Sequence, residues 1–155
     1  MLARKSTFWE SLVSIAFDDI RSQWPGFDEA YYTGVRELMC RIYAGLADGK
    51  EWFIDKTPRY TLIAEEILKV FPGAKIIVLL RHPLAVAASM VTVSKKGYWC
   101  PDEYGIDLYE GLQRLDAFAR QHSDRVCQVR YEDLVSEPAV QLNRIGAYLG
   151  WEELE

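Results

Sequence analysis

Three short apolar runs in this chain each end in a residue suited to gripping an anion. Residues 52–54 run into Asp55-Lys56-Thr57-Pro58, residues 76–80 into Arg81-His82-Pro83, and residues 126–129 into Arg130-Tyr131-Glu132-Asp133. A guanidinium is planar and permanently charged, so Arg81 can hold two oxygens of one phosphate. The ammonium of Lys56 is a compact charge on a flexible stem, able to reach a group in transfer and offset charge growing on a leaving oxygen. The phenol of Tyr131 can hydrogen-bond a phosphate or stack on a base, and Ser89, a few residues past Arg81, can add a hydroxyl. Each has an ordinary alternative. Arg81 also fits a surface ion pair, Lys56 a solvated turn, Tyr131 a core aromatic with a wet hydroxyl, and Ser89 a small residue in a packed helix.

These residues act together only if the elements bring them to one place. The apolar runs read as buried strands. A helix over 61–71, stopped by Pro72-Gly73, separates the first two, which predicts a βαβ unit with parallel strands and a right-handed crossover. In open parallel sheets ligands bind at the carboxyl ends of the strands, where Lys56, Arg81 and Tyr131 would gather. The run 76–80 is apolar throughout, as in a strand covered on both faces. Pro83 suits the first turn of a helix continuing over 84–93, whose free N–H groups would face the same anion.

Helices are expected over 7–20, over 28–46 with Asp28 as N-cap, over 106–122, and over 139–149 ending at Gly150. The stripe Tyr32, Val35, Leu38, Met39, Ile42, Tyr43 and Leu46 reads as core. The stretch from Gly45 to Lys50 superficially resembles a phosphate loop. Its spacing is one residue short, Glu51 replaces the hydroxyl residue, and it links a helix to a strand, so it reads as a helix C-cap and turn. Residues 94–105, with Tyr98, Trp99 and Tyr104, form a polar and aromatic loop that lines an acceptor site or packs on the surface.

Composition sets the frame. With 155 residues, half of them hydrophobic, the chain fits one globular domain rather than a disordered segment. A net charge of −5 argues against a general nucleic-acid binder while permitting a local basic pocket. The three cysteines, Cys40, Cys100 and Cys127, show no metal-ligand spacing; they read as reduced thiols, with Cys40 and Cys127 in the core. No signal region and no apolar run long enough for a bilayer appear, which predicts a soluble, cytoplasmic protein without a membrane segment.

The quoted segments resemble a known family. DKTPRY, then KVFPGAKIIVLLRHPLAVAAS, then VRYEDLVSEPAVQLNRIGAYLGW are similar to the central and later parts of the sulfotransferases that use 3'-phosphoadenosine-5'-phosphosulfate, PAPS, as donor. The resemblance covers residues 53–151. It implies a three-layer α/β fold of P-loop nucleotide-kinase type, a parallel sheet flanked by helices. It implies that Arg81 and Ser89 bind the 3'-phosphate of PAPS, that Tyr131 contacts the nucleotide, and that Lys56 lies near the sulfuryl group. The implied acceptor is a hydroxyl or amine on a small molecule, glycan or peptide, and no metal is required. A P-loop kinase and a non-catalytic interaction module on a degraded transferase scaffold are the alternatives.

The chain departs from the family in lacking the glycine-rich phosphosulfate loop before Asp55 and the late glycine-rich nucleotide segment. That predicts a partial chain holding the 3'-phosphate half-site, with an unpaired sheet edge and little activity of its own. No residue matches the family's catalytic base. His82, where the family often has Asp or Asn, reads as a helix cap, and His122 as a solvated helix end.

Overall fold

The computed structural model describes residues 8–93, 98 and 105–151. The chain divides into two compact units, Met1–Asp55 and Lys56–Glu155.

In the first unit, helix α1 (Phe8–Gln23) and helix α2 (Phe27–Ala47) are joined by a short turn. Aromatic rings weld that turn: Phe17 meets Phe27 and Tyr31 edge-on at 5.5 and 5.6 Å, and Trp24 meets Phe27 at 5.8 Å. Arg21 donates to Asp28 at 2.8 Å and to Asp18 at 3.3 Å, and Asp28 above all raises the pKa of its guanidinium. The N-cap of α2 is Gly26, not Asp28; the cap lies two residues earlier than the polarity signals, and Asp28 serves the first turn.

No residue of α2 is buried, so the stripe expected to be core is half-covered or exposed, with Leu38, Ile42 and Leu46 among its open positions. Cys40 is likewise exposed rather than core. One neighbouring helix cannot enclose a stripe as broad as this. The helix ends as read, with Asp48 and Gly49 both at positive φ, 49° and 78°. The returning chain packs Phe53 on the Tyr43 ring at 4.5 Å, and the Tyr43 hydroxyl donates to Asp55 at 2.6 Å.

In the second unit, a 3-10 turn (Pro58–Leu62) leads into α3 (Ala64–Val70), then strand β1 (Ile76–Leu80) and α4 (Pro83–Val93). A π-helical stretch (Ile106–Glu110) continues as α5 (Gly111–Gln121), followed by β2 (Val126–Arg130), α6 (Tyr131–Ser136) and α7 (Pro138–Leu149). Gly150, at φ 82°, closes α7 as expected. The two strands are parallel and adjacent. Tyr148 ties their starts together: its hydroxyl accepts from Ile76 N–H and donates to Arg125 O, both at 2.8 Å.

The main cluster lies on one face of this pair, where Val78 and Val126 meet Leu68, Phe118 and Ala119, and on the other face Cys127 and Val129 of β2 are buried as well. On β1's other face Ile77 and Leu79 remain 43% and 51% exposed, so the all-apolar strand is covered on one side, not two. The first of the three expected strands is not formed: residues 52–54 belong to no strand and stay exposed, Ile54 at 78%. A strand without a neighbour has no ladder to satisfy its backbone, and among the described residues β1 pairs with β2 on one edge. Among the described residues, no helix is long and apolar enough to cross a membrane.

Candidate functional site

The register of the sheet builds the site. Each β1 residue pairs with the β2 residue fifty positions later, from Ile76 with Val126 to Leu80 with Arg130. That offset persists past the ladder. The Arg81 guanidinium lies over the Tyr131 ring, 4.5 Å from its centroid, and the His82 N–H donates to Glu132 Oε1 at 2.9 Å. Two of the residues singled out in the sequence, Arg81 and Tyr131, are therefore neighbours at the carboxyl rim of the strands.

Arg81 is half-buried. Its Nε is shut off from solvent and has no hydrogen-bond partner, and no carboxylate among the described residues forms an ion pair with it. Stacking on a ring favours a cation and fixes its plane, at roughly 0.5–2 kcal/mol. It leaves the N–H edges for an acceptor. An orphaned buried N–H costs about 1–3 kcal/mol, and more when the group is charged, which an incoming anion would offset.

The start of α4 is not the open amide cradle the sequence implies. His82 caps it: its carbonyl accepts from Ala85 and Val86 N–H at 2.9 and 3.1 Å, and its Nδ1 accepts from Leu84 N–H at 3.2 Å. Pro83 has no N–H to offer. The first turn is satisfied from within, so the anion-binding capacity of this rim rests on the Arg81 side chain. His82 is the helix cap it was read to be.

Glu132 was not singled out in the sequence. Its carboxylate locks the exit of β1 to the exit of β2, and the His82 amide, chiefly, holds its pKa below the ordinary value near 4.5. The signal was positional: Glu132 stands two residues past its strand, as His82 does past the other.

Ser89 sits half-buried two turns along α4, joined to Arg81 through that helix's backbone. Lys56 is exposed, in an extended segment just ahead of the 3-10 turn, and among the described residues it has no ion-pair partner. The structure does not bring it to the rim on a strand. The loop residues Trp99 and Tyr104 lie outside the described residues, and Tyr98 is exposed. His122 is not a solvated end: its side chain is 18% exposed and its Nε2 lies 2.9 Å from Glu65 Oε1. Among the described residues, no group of His, Cys, Asp and Glu is placed to hold a metal ion.

Comparison with known proteins extends this geometry. The chain is 33% identical to the nodulation protein NoeE of Sinorhizobium fredii (strain NBRC 101917 / NGR234) over 129 residues, 68% of this chain and 30% of that protein. It is 32% identical over 112 residues to the omega-hydroxy-beta-dihydromenaquinone-9 sulfotransferase Stf3 of Mycobacterium bovis (strain ATCC BAA-935 / AF2122/97), covering 64% of this chain and 29% of the relative. The chain thus spans about 30% of the length of these relatives. No solved structure matches it. The model of the sulfotransferase family matches residues 15–155, and the chain belongs to that family.

Proposed function

We propose that this chain carries the 3'-phosphate half of a PAPS site in a sulfotransferase that moves a sulfuryl group to a hydroxyl or amine. The observation that carries the reading is the Arg81 guanidinium, stacked on Tyr131 with its Nε orphaned, at the carboxyl rim of a parallel strand pair. A terminal phosphate, doubly charged and rich in acceptors, is the group such a fork accepts best. Ser89 adds a hydroxyl to the same phosphate, and Tyr131 holds the guanidinium plane while contacting the nucleotide. Lys56 reaches the sulfuryl group and offsets charge on the departing phosphate oxygen.

The reaction forms an S–O or S–N bond to the acceptor, breaks the bond from sulfur to the 5'-phosphate oxygen, and releases 3'-phosphoadenosine-5'-phosphate and the acceptor's proton. This chemistry depends on positioning and electrostatics rather than on a covalent protein intermediate. The proposed whole-protein fold is a P-loop-like, three-layer α/β sheet, in which the open edge of β1 is paired. The relative named as a sulfotransferase of an omega-hydroxy compound supports an alcohol acceptor.

Calorimetric titration tests the reading. Adenosine 3',5'-bisphosphate is expected to bind at least tenfold tighter than 5'-AMP, and Arg81→Ala to erase most of that difference, since one charge-assisted fork is worth about 1.5–3 kcal/mol. Equal affinity for the two nucleotides, or discrimination that survives Arg81→Ala, overturns the 3'-phosphate assignment. A preference for ATP would favour the kinase alternative.

A further inference from the structure

A cleft of about 580 Å³ opens within the second unit, between the 3-10 turn, β1, α4 and the helices that begin at Ile106. Its floor is apolar: Leu79, Val86, Met90, Leu112 and Leu115. Among the described residues its polar side chains are Thr57, Arg59 and Thr61 on the segment that follows Lys56, and Asp107 on the facing wall.

The cleft is a held shape. The Arg59 guanidinium meets Asp107 through two contacts of 3.3 Å, and the Arg114 side chain donates to Leu62 O at 3.3 Å, so two cross-links join the 3-10 turn to the opposite wall. Gly111 lets the walls close. Its N–H donates to Ile106 O, and a side chain there would begin 3.1 Å from that oxygen and 3.2 Å from Thr61 Oγ1.

The charge of the lining selects among ligands. Among the described residues, Arg59 and Asp107 are its charged members, and each already holds the other. A charged guest would have to break that pair or sit beside apolar side chains without a partner, and both cost free energy. A sugar's ring of hydroxyls would find two threonines against five apolar residues. An apolar skeleton carrying one hydroxyl satisfies both ends, and the volume suits a small molecule.

We infer that this cleft takes the apolar body of an uncharged alcohol or phenol, with its hydroxyl at the Thr57 edge, one residue from Lys56. The role as acceptor site rests on the sulfotransferase reading; the binding itself does not. The acceptor class is then a hydrophobic alcohol rather than a glycan or a charged peptide.

Titration of this chain with 2-naphthol and with glucose tests the inference. Saturable binding of 2-naphthol is expected, with none for glucose at the same concentration. Leu112→Trp, which fills the cleft from the α5 wall, should weaken 2-naphthol about tenfold, and Leu112→Met, which conserves volume, should stay within about twofold. Far-UV circular dichroism checks that each variant is folded, and Met90→Trp, filling from α4, replaces Leu112→Trp if that one is not. Glucose binding as tightly as 2-naphthol, no binding of 2-naphthol, or full affinity in the tryptophan variants overturns the cleft. A parallel titration with adenosine 3',5'-bisphosphate separates the two readings: nucleotide binding without 2-naphthol sinks the cleft alone, and 2-naphthol without nucleotide keeps the cleft while removing its acceptor role.

Discussion

Two stretches of this chain have the same grammar, an apolar run, a cation and a proline, and fold differently. Ile76–Leu80 becomes a strand whose exit is fixed on two sides, by the Arg81–Tyr131 stack and the His82–Glu132 hydrogen bond. Residues 52–54 become an exposed segment whose anchors are the Tyr43 ring and the Tyr43–Asp55 hydrogen bond, and Lys56 follows without a ladder behind it. The difference lies in the neighbour. β1 has β2 in register beside it; residues 52–54 belong to no strand among the described residues. A strand-exit motif is thus half a statement, and a parallel neighbour of matched register completes it.

The largest expected effect comes from breaking the built exit at its root. Val129 is buried, 1% exposed, and pairs with Leu79 across the ladder. Val129→Asp places an unpaired carboxylate in that interior and is expected to cost about 4 kcal/mol, a large part of the 5–15 kcal/mol that holds a typical domain. Loss of a cooperative thermal transition in the variant is the expected outcome. A transition within a few degrees of the parent would mean that the strand pair does not organise the second unit.

The built half was largely legible in the sequence. The apolar runs 76–80 and 126–129, the helix opened by Pro83 and the stop at Gly150 are local signals, and the structure carries each within a few residues; the crossover unit expected between residues 52–54 and 76–80 is not among them, since 52–54 form no strand. The meeting of Arg81 and Tyr131 followed once the strands were taken as parallel. What did not follow was every feature set by a long-range partner. The stripe on α2 needs a cover that the periodicity of α2 does not supply. Ile77 and Leu79 read as doubly covered because their chemistry is apolar, although cover is a property of what packs on them. Glu132 went unread because its role appears only when the register is known. The amides of α4 read as free from the sequence because their partners, the carbonyl and Nδ1 of His82, are fixed by side-chain and backbone geometry that residue types do not show.

A second, smaller effect sharpens the comparison at the built exit itself. The carboxyl of Glu132 is held below its ordinary value by the His82 amide, so its ionised form is favoured in the folded state. A depressed folded pKa contributes stability that is complete above the unfolded value near 4.5 and is lost as pH falls through the lowered folded value. Glu132→Gln keeps an acceptor oxygen and removes the titration. Thermal midpoints measured from pH 6 down to pH 3 should therefore fall more steeply for the parent than for the variant, and the two curves should converge at the acid end. Parallel curves would show that the His82–Glu132 contact does not form in solution.

The smallest effect on stability is expected at the unbuilt exit, which is what makes it diagnostic. Lys56 is exposed, lies on no ladder and has no ion-pair partner among the described residues, so Lys56→Ala should shift stability by no more than about 0.5 kcal/mol. Denaturant midpoints for parent and variant should coincide, and so should their affinities for adenosine 3',5'-bisphosphate, since Lys56 is assigned to the transferred group and not to the 3'-phosphate. A clear loss of stability would place the ammonium in a structural contact and remove it from the chemistry. A loss of nucleotide affinity with stability intact would move it to the phosphate grip beside Arg81. In either case the two exits would be more alike than their backbones are, because side chains alone would be doing at residue 56 what a paired strand does at residue 81.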